Sequence, residues 1–199
     1  MSFSDVPAGK IAAVVTSLEM FQRPAPRPER DDVAFALQRV PHPELAWFRK
    51  LYRSVGENWI WFSRLTMADA ELAAIVHDPL VEVYVLKSGA DEAGLLELDF
   101  RTPHECELSF FGLTPPLVGT GAGRWLMNRA MELTWSRPIK RLWVHTCTFD
   151  HPAALAFYVR SGFRPFRLQI ELADDPRLTG VLPRNSAPHV PLIEPTRRP

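Results

Sequence analysis

Residues 119–123, Gly-Thr-Gly-Ala-Gly, stand between an apolar run ending at Leu113 and a helical repeat of Ala122, Leu126, Ala130 and Leu133. Glycines let the main chain approach an anion closely, the first amides of a helix have no intrahelical partner, and the helix dipole favours negative charge there. A strand, a glycine loop and a helix in this order can therefore cradle a phosphate. A tight strand-to-helix turn without a ligand satisfies the same spacing. A Walker loop would close on Gly-Lys-Ser or Gly-Lys-Thr, whereas Arg124 and Trp125 follow Gly123. A dinucleotide fingerprint needs its third glycine one place later and an acidic residue ending the next strand, and Arg141 to Thr146 supplies none.

A second constellation has metal-like chemistry. His104 and Cys106 alternate along one strand, and His145 and Cys147 along another. The first pair opens its strand and the second closes its own, so parallel pairing would hold the two pairs many ångströms apart. The expectation is free cysteines and no metal.

The elements that must position these residues follow from pattern. Residues 11–18 read as a buried strand, the proline-studded 22–31 as a loop, and Val33 to Val40 as another strand. From Pro43, Leu45, Phe48, Leu51 and Tyr52 share a helical face, which Gly56 is expected to end as a cap. Trp59, Ile60, Trp61 and Phe62 form an aromatic run of the kind most often found in cores, and Met67 to His77 a short helix. Val81 to Lys87 and Gly94 to Phe100 flank Gly89-Ala90-Asp91, a hairpin signal. With the opening stretch these give consecutive antiparallel strands feeding the strand Leu108 to Leu113, which stops at Pro115-Pro116. The helix after the glycine loop ends at Arg137-Pro138, and Arg141 to Thr146 is a strand. A crossover helix between two strands implies parallel pairing. His151-Pro152 should start a further helix with proline at its first position, closed by Gly162, before a last strand from Arg167 to Leu172. From Asp174 the chain is rich in proline, as a wrapping arm or a disordered tail.

The chain has 199 residues and zero formal net charge. No global field recruits nucleic acid or an anionic membrane, so anion binding must be local. No run reaches transmembrane length, no charged-then-apolar leader opens the sequence, and two cysteines suit a reduced, cytoplasmic protein.

Two stretches resemble the GNAT superfamily of acyl-CoA-dependent N-acetyltransferases. Leu113-Thr-Pro-Pro-Leu-Val-Gly-Thr-Gly-Ala-Gly123 is similar to its pyrophosphate loop. Asp150-His-Pro-Ala-Ala-Leu-Ala-Phe-Tyr-Val-Arg-Ser-Gly-Phe163 is similar to its later helix, usually Asn-x-x-Ala-x-x-x-Tyr-x-x-x-Gly-Phe. The resemblance covers about residues 81–172. It departs at Val118, where the loop usually carries Gln or Arg, and at His151, where the helix usually carries Asn. Loss of the Gln or Arg removes a side-chain anchor and leaves the backbone donors.

The resemblance implies a single mixed α/β domain over residues 1–173, followed by the arm or tail at 174–199. Its central, mostly antiparallel sheet would be flanked by helices and hold one splayed parallel strand pair. It implies acetyl transfer from acetyl-CoA to an amine, without a metal. Backbone at Phe111, Gly112 and Leu113 would pair with the pantetheine arm as an added strand. Val118, Gly119, Thr120, Gly121, Ala122, Gly123 and Arg124 would surround the pyrophosphate, with His151, Ala154, Phe157 and Arg160 completing the CoA site. The matching tyrosine, Tyr158, would donate a proton to the leaving thiolate; packing beside Phe157 is its other reading. Glu107 matches a position used as base in some relatives. Alternation places it on one face with Glu105, Ser109 and Phe111, where apolar neighbours would raise its pKa. A water chain, or a merely solvated Glu107, is the alternative. The acceptor stays open among small amines, amino acids, antibiotics and protein N-termini, as does a homodimer. A catalytically silent acyl-CoA-binding or partner-binding module is the rival reading.

Overall fold

Apolar residues on both faces mark Lys10–Met20, the first strand, β1, as an interior strand. Ile11 and Ala13 are buried on one side of it and Leu18 and Met20 on the other. The structure, a computed structural model, describes residues 3–30 and 34–195. After β1 come a short strand β2 (Phe35–Arg39), helix α1 (Leu45–Gly56), a single helical turn α2 (Ser63–Thr66) and helix α3 (Asp69–Val76). Val33, expected within the second strand, lies outside the described residues. Strands β3 (Val81–Ser88), β4 (Asp91–Asp99) and β5 (Glu105–Leu113) follow, then α4 (Ala122–Trp135), β6 (Arg141–Cys147), α5 (Ala154–Arg160) and β7 (Arg164–Asp174).

One seven-stranded sheet runs β2-β3-β4-β5-β6-β1-β7, antiparallel throughout except for the parallel pair β5–β6. The opening stretch does not begin the meander. It crosses to the far side and threads between β6 and β7, with Val15 opposite both Cys147 and Gln169. Its apolar character on two faces suits that interior place, and a meander edge would have left one face exposed.

Two cores hold the sheet between helices. Leu18, Leu96, Leu98, Leu108, Leu126, Leu142 and Tyr158 pack beneath α4 and α5. On the opposite face Phe48, Leu51, Tyr52, Leu72, Val83 and Leu95 pack beneath α1 and α3. Each fully buried leucine contributes on the order of 2 kcal/mol.

Two helix ends differ from their sequence signals. Gly56 takes φ −104° rather than a left-handed cap, and the left-handed residue is Ile60, at φ 55°. Glycine is needed there because a Cβ would stand 2.4 Å from Trp61 Cβ. Likewise α5 starts at Ala154, not at Pro152. The His151 carbonyl accepts from the Ala154 N–H at 2.7 Å, so His151-Pro152 forms the preceding turn. Gly162 does close α5 in the left-handed region, at φ 102°.

Beyond β7 the chain winds around one buried cation. Arg177 donates to the Asp175 carboxylate through Nε at 3.0 Å and Nη2 at 2.7 Å, and to the carbonyls of Ser186, Ala187, Val190 and Pro191. The Asp175 N–H donates to Gly9 O, and Gly9 N–H to Ile193 O, which fastens the arm to the start of β1. Burial alone would raise the Asp175 pKa, but the hydrogen bonds and charge of Arg177 outweigh it and hold the carboxyl below the usual range. Leu182 and Ala187 pack on Ile11 and Ile60.

Candidate functional site

Strands β5 and β6 form a ladder only from Glu105 to Glu107 against Arg141 to Trp143. Past that point they part, and the β6-facing edge of Leu108–Leu113 has no strand beside it. The gap widens into a cavity of about 880 Å³. At one end lie Val118, Gly119 and Gly123. The same cavity is lined by Trp59, Trp61, Phe62 and Phe149 and by Tyr158, Glu107 and His145.

The loop end is shaped by backbone conformation. Gly119 and Gly121 are left-handed, at φ 82° and 100°, and a Cβ on Gly119 would meet nothing within 4 Å. Gly121 precedes the first residue of α4, so the Gly123 and Arg124 amides belong to the first helical turn and lack intrahelical acceptors. Unpaired amides of this kind can hold an anion.

Tyr158 is buried, with its ring between Phe111 (6.3 Å), Phe157 (5.7 Å) and Phe163 (5.8 Å). Burial, reinforced by the negative charge of Asp150, pushes its pKa up, so the phenol keeps its proton at neutral pH. Glu107 Oε1 stands 3.4 Å from His145 Nδ1. Hydrogen bonding to Glu107 raises the His145 pKa against the opposing effect of burial. Asp150 accepts from Thr146 Oγ1 at 2.7 Å, from the Cys147 N–H at 2.9 Å and from Trp61 Nε1 at 3.1 Å.

Residues 43–163, well over half of the chain, match the family model described as the acetyltransferase (GNAT) family. The chain belongs to the GNAT acetyltransferase family. Its fold is shared by a functionally unknown conserved protein from Staphylococcus epidermidis (TM-score 0.56, 14% identity, 84% of this chain), of whose length it spans 64%. It is also shared by an IAA acetyltransferase from Bacillus cereus (TM-score 0.53, 23% identity, 67% of this chain and 79% of that one). A third likeness is to an aminoglycoside acetyltransferase from an uncultured soil metagenomic sample (TM-score 0.52, 16% identity, 64% of this chain and 87% of that one). No curated protein matches the chain.

The GNAT motif residues divide by position. Phe111, Gly112, Leu113, Val118, Gly119, Gly123, His151, Ala154, Phe157, Tyr158 and Arg160 line the cavity together with Glu107. Thr120, Gly121, Ala122 and Arg124 lie off its wall. Thr120 Oγ1 donates to Leu117 O, Ala122 is buried, and exposed Arg124 donates to Pro28 O at 2.9 Å. His151 Nδ1 accepts from the Ala153 N–H, a hydrogen-bonding role at the helix approach. Gly112 has a packing role besides: a Cβ there would stand 2.4 Å from Val55 Cγ1 and 3.0 Å from Trp61 Cη2.

From sequence alone, His145 reads only as a metal ligand and Asp150 only as the residue before His151. The signal for His145 lay in the parallel register. Glu107 opposite Trp143 puts His145 two residues further along the same face. Cys106, by the same register, stands beside Leu142 and far along the strand from Cys147, and both thiols are free. Among the described residues no three His, Cys, Asp or Glu side chains are placed to hold a metal, and no helix is long and apolar enough to cross a membrane. The aromatic run also differs from expectation. Ile60 is core, but Trp59, Trp61 and Phe62 are half-buried and form part of the cavity wall.

Proposed function

We propose that the protein moves the acetyl group of acetyl-CoA to an amine held in the aromatic end of the cleft. The observation that carries this reading is the parted β5–β6 edge, whose cavity is lined by both a protonated phenol and a Glu107–His145 pair. Acetyl-CoA supplies an acyl thioester and a thiolate leaving group. The amides of the first α4 turn would hold its pyrophosphate, and the open main chain of Phe111–Leu113 its amide-bearing arm. Tyr158 protonates the departing thiolate from Oη. The Glu107–His145 pair takes the amine proton once His145 is neutral, and Glu107 then holds the resulting imidazolium. Asp150 fixes the strand end beside this pair and ties it to Trp61. The flat walls of Trp59, Trp61, Phe62 and Phe149 favour an amine borne on an apolar body.

Free-thiol release from acetyl-CoA across a panel of amines tests the reading, with aromatic and aliphatic amines expected ahead of polar ones. Tyr158→Phe should lower turnover by about 10²–10⁴-fold with little change in acetyl-CoA affinity, since a positioned acid acts in the transition state. Stability should move by less than about 1 kcal/mol, because the ring stays. Turnover within roughly threefold of wild type would remove Tyr158 from the mechanism. Thermal stabilisation by acetyl-CoA with no thiol release from any amine would make the protein a binding module instead.

A further inference from the structure

Strand β7 ends the sheet, and every residue in it except Ala173 and its neighbours' backbones on β1 stands open to solvent. Its side chains are not those of an idle edge. Leu168 is 71% exposed and Ile170 79%, and Leu172 lies beyond them on the same face. Val14 of β1 and Leu155 and Val159 of α5 are exposed large apolar residues as well. Natural edges are usually blunted by lysine, proline or inward charge. This one has no lysine, Pro165 only near its start, and its mid-strand charges, Arg167 and Glu171, on the face away from the apolar stripe. An apolar stripe on an unpaired edge is a template for another strand.

The sequence of β7 also specifies which strand. Its opposite face carries Arg167, Gln169 and Glu171. Among the described residues neither Arg167 nor Glu171 has an ion-pair partner, whereas Arg164 reaches Glu19 at 3.3 Å and Asp174 is held by Lys10 at 2.6 Å. A two-fold axis normal to the sheet keeps each face on its own side, so a residue can oppose only a residue of the same face. Centred on Gln169, antiparallel self-pairing sets Arg167 against the second copy's Glu171 twice over, and Leu168 against its Ile170 twice over. Centred on Leu168, it would set Arg167 against Gln169 and Glu171 against Pro165. Centred on Ile170, it would set Arg167 against Ala173 and Glu171 against Gln169. One register alone satisfies both charges and both apolar side chains.

We propose that β7 pairs antiparallel with β7 of a second copy about Gln169, joining two seven-stranded sheets into one continuous sheet. The main-chain groups of the edge then find partners, and the stripe of Leu168, Ile170 and Leu172 is covered with the flank of α5. Arg167, Leu168, Ile170 and Leu172 lie off the cleft wall, while Glu171 and Ala173 also line it.

Sedimentation of the full chain tests the proposal. Wild type should have about twice the 22.6 kDa chain mass at micromolar concentration. Arg167→Glu should weaken the dimer by about 100-fold, since it sets like charges opposite each other at two symmetric places. Glu171→Arg should do the same. The double variant Arg167→Glu/Glu171→Arg restores opposite charges and should return the dimer to within about tenfold of wild type. Ile170→Lys should be monomeric. These residues are exposed, so folding, followed by circular dichroism, should survive each change. A monomeric wild type, a dimer indifferent to Arg167→Glu and Ile170→Lys, or a double variant no better than the singles would each overturn the proposal.

Discussion

The sheet is built differently on its two sides of the β5–β6 gap. From β2 to β5 each strand pairs with the one before it, and helices from nearby sequence cover it. On the other side, β6 pairs with residues 15–20 and β7 with residues 10–19, so the two ends of the chain meet there. Local pairing closes short loops at small entropic cost, and distant pairing must close most of the chain before any contact rewards it. The second side has a fixture at the chain ends, the Arg177 hub, whose arm is tied to Gly9. The meander has a buried pair of its own, Arg64 with Glu97 at 2.5 Å, but its strands join neighbours in sequence, whereas the terminal side depends on the arm to hold the two ends of the chain together.

Arg177→Ala attacks that dependence most directly. It leaves Asp175 buried without its partner and frees four arm carbonyls, a loss of roughly 3–5 kcal/mol of the kind seen when one partner of a buried pair is removed. Chemical denaturation should show the loss. Native-state hydrogen exchange should localise it, with β1 and β7 amides exchanging before those of β3 and β4. Uniform loss of protection over both sides would dissolve the contrast.

A pair of glycines gives a smaller effect and probes the two lips of the gap. Gly112→Ala forces a methyl into Val55 and Trp61, which should cost about 1–3 kcal/mol by overpacking. Gly119→Ala meets open space but must hold φ 82°, so it should cost about 1–2 kcal/mol and abolish the thermal shift given by acetyl-CoA. A wild-type acetyl-CoA shift in Gly119→Ala would mean that the loop is not the cradle.

The gentlest test is pH. His145 has a raised folded pKa, so its contact with Glu107 stabilises the fold below the unfolded imidazole value of about 6.5. That contribution is lost as pH rises through the higher folded value. Over the same interval the pair becomes able to accept a proton, so kcat/KM should climb above the ordinary imidazole range. Glu107→Gln removes the largest of the raising partners, leaving Asp150 and Glu171, and should move that limb to lower pH with a reduced plateau. An unmoved limb would uncouple the two residues.

The meander was readable because each of its signals is local. Gly89 marks the hairpin and Pro115-Pro116 the end of β5, and the spacing from Ala122 to Leu133 marks α4. The glycine loop and the Tyr158 helix were readable for the same reason. The place of β1 was not, since nothing in residues 10–20 states which strands they join. The role of Gly56 was hidden as well. Its spacing fits a helix cap, and the side chain that requires it, Trp61, follows a turn whose reversal depends on left-handed Ile60. Asp150 and His145 gain meaning only from the parallel register, which pairs β5 with a strand beyond an intervening helix.

Trp61 touches both lips of the gap at once. Its indole rests against Gly56 and Gly112 on one lip and donates to Asp150 on the other. It thus sets the width of the opening as a strut sets the width of a frame. It also carries a chromophore at the place where an acceptor would sit, beside Phe110 and Tyr52. Filling the aromatic end should change the polarity around that indole and shift its emission. The difference between wild type and Trp61→Phe then isolates its signal from the other five tryptophans. On the proposed reading, that emission would report occupancy of the aromatic end by an amine before turnover is known.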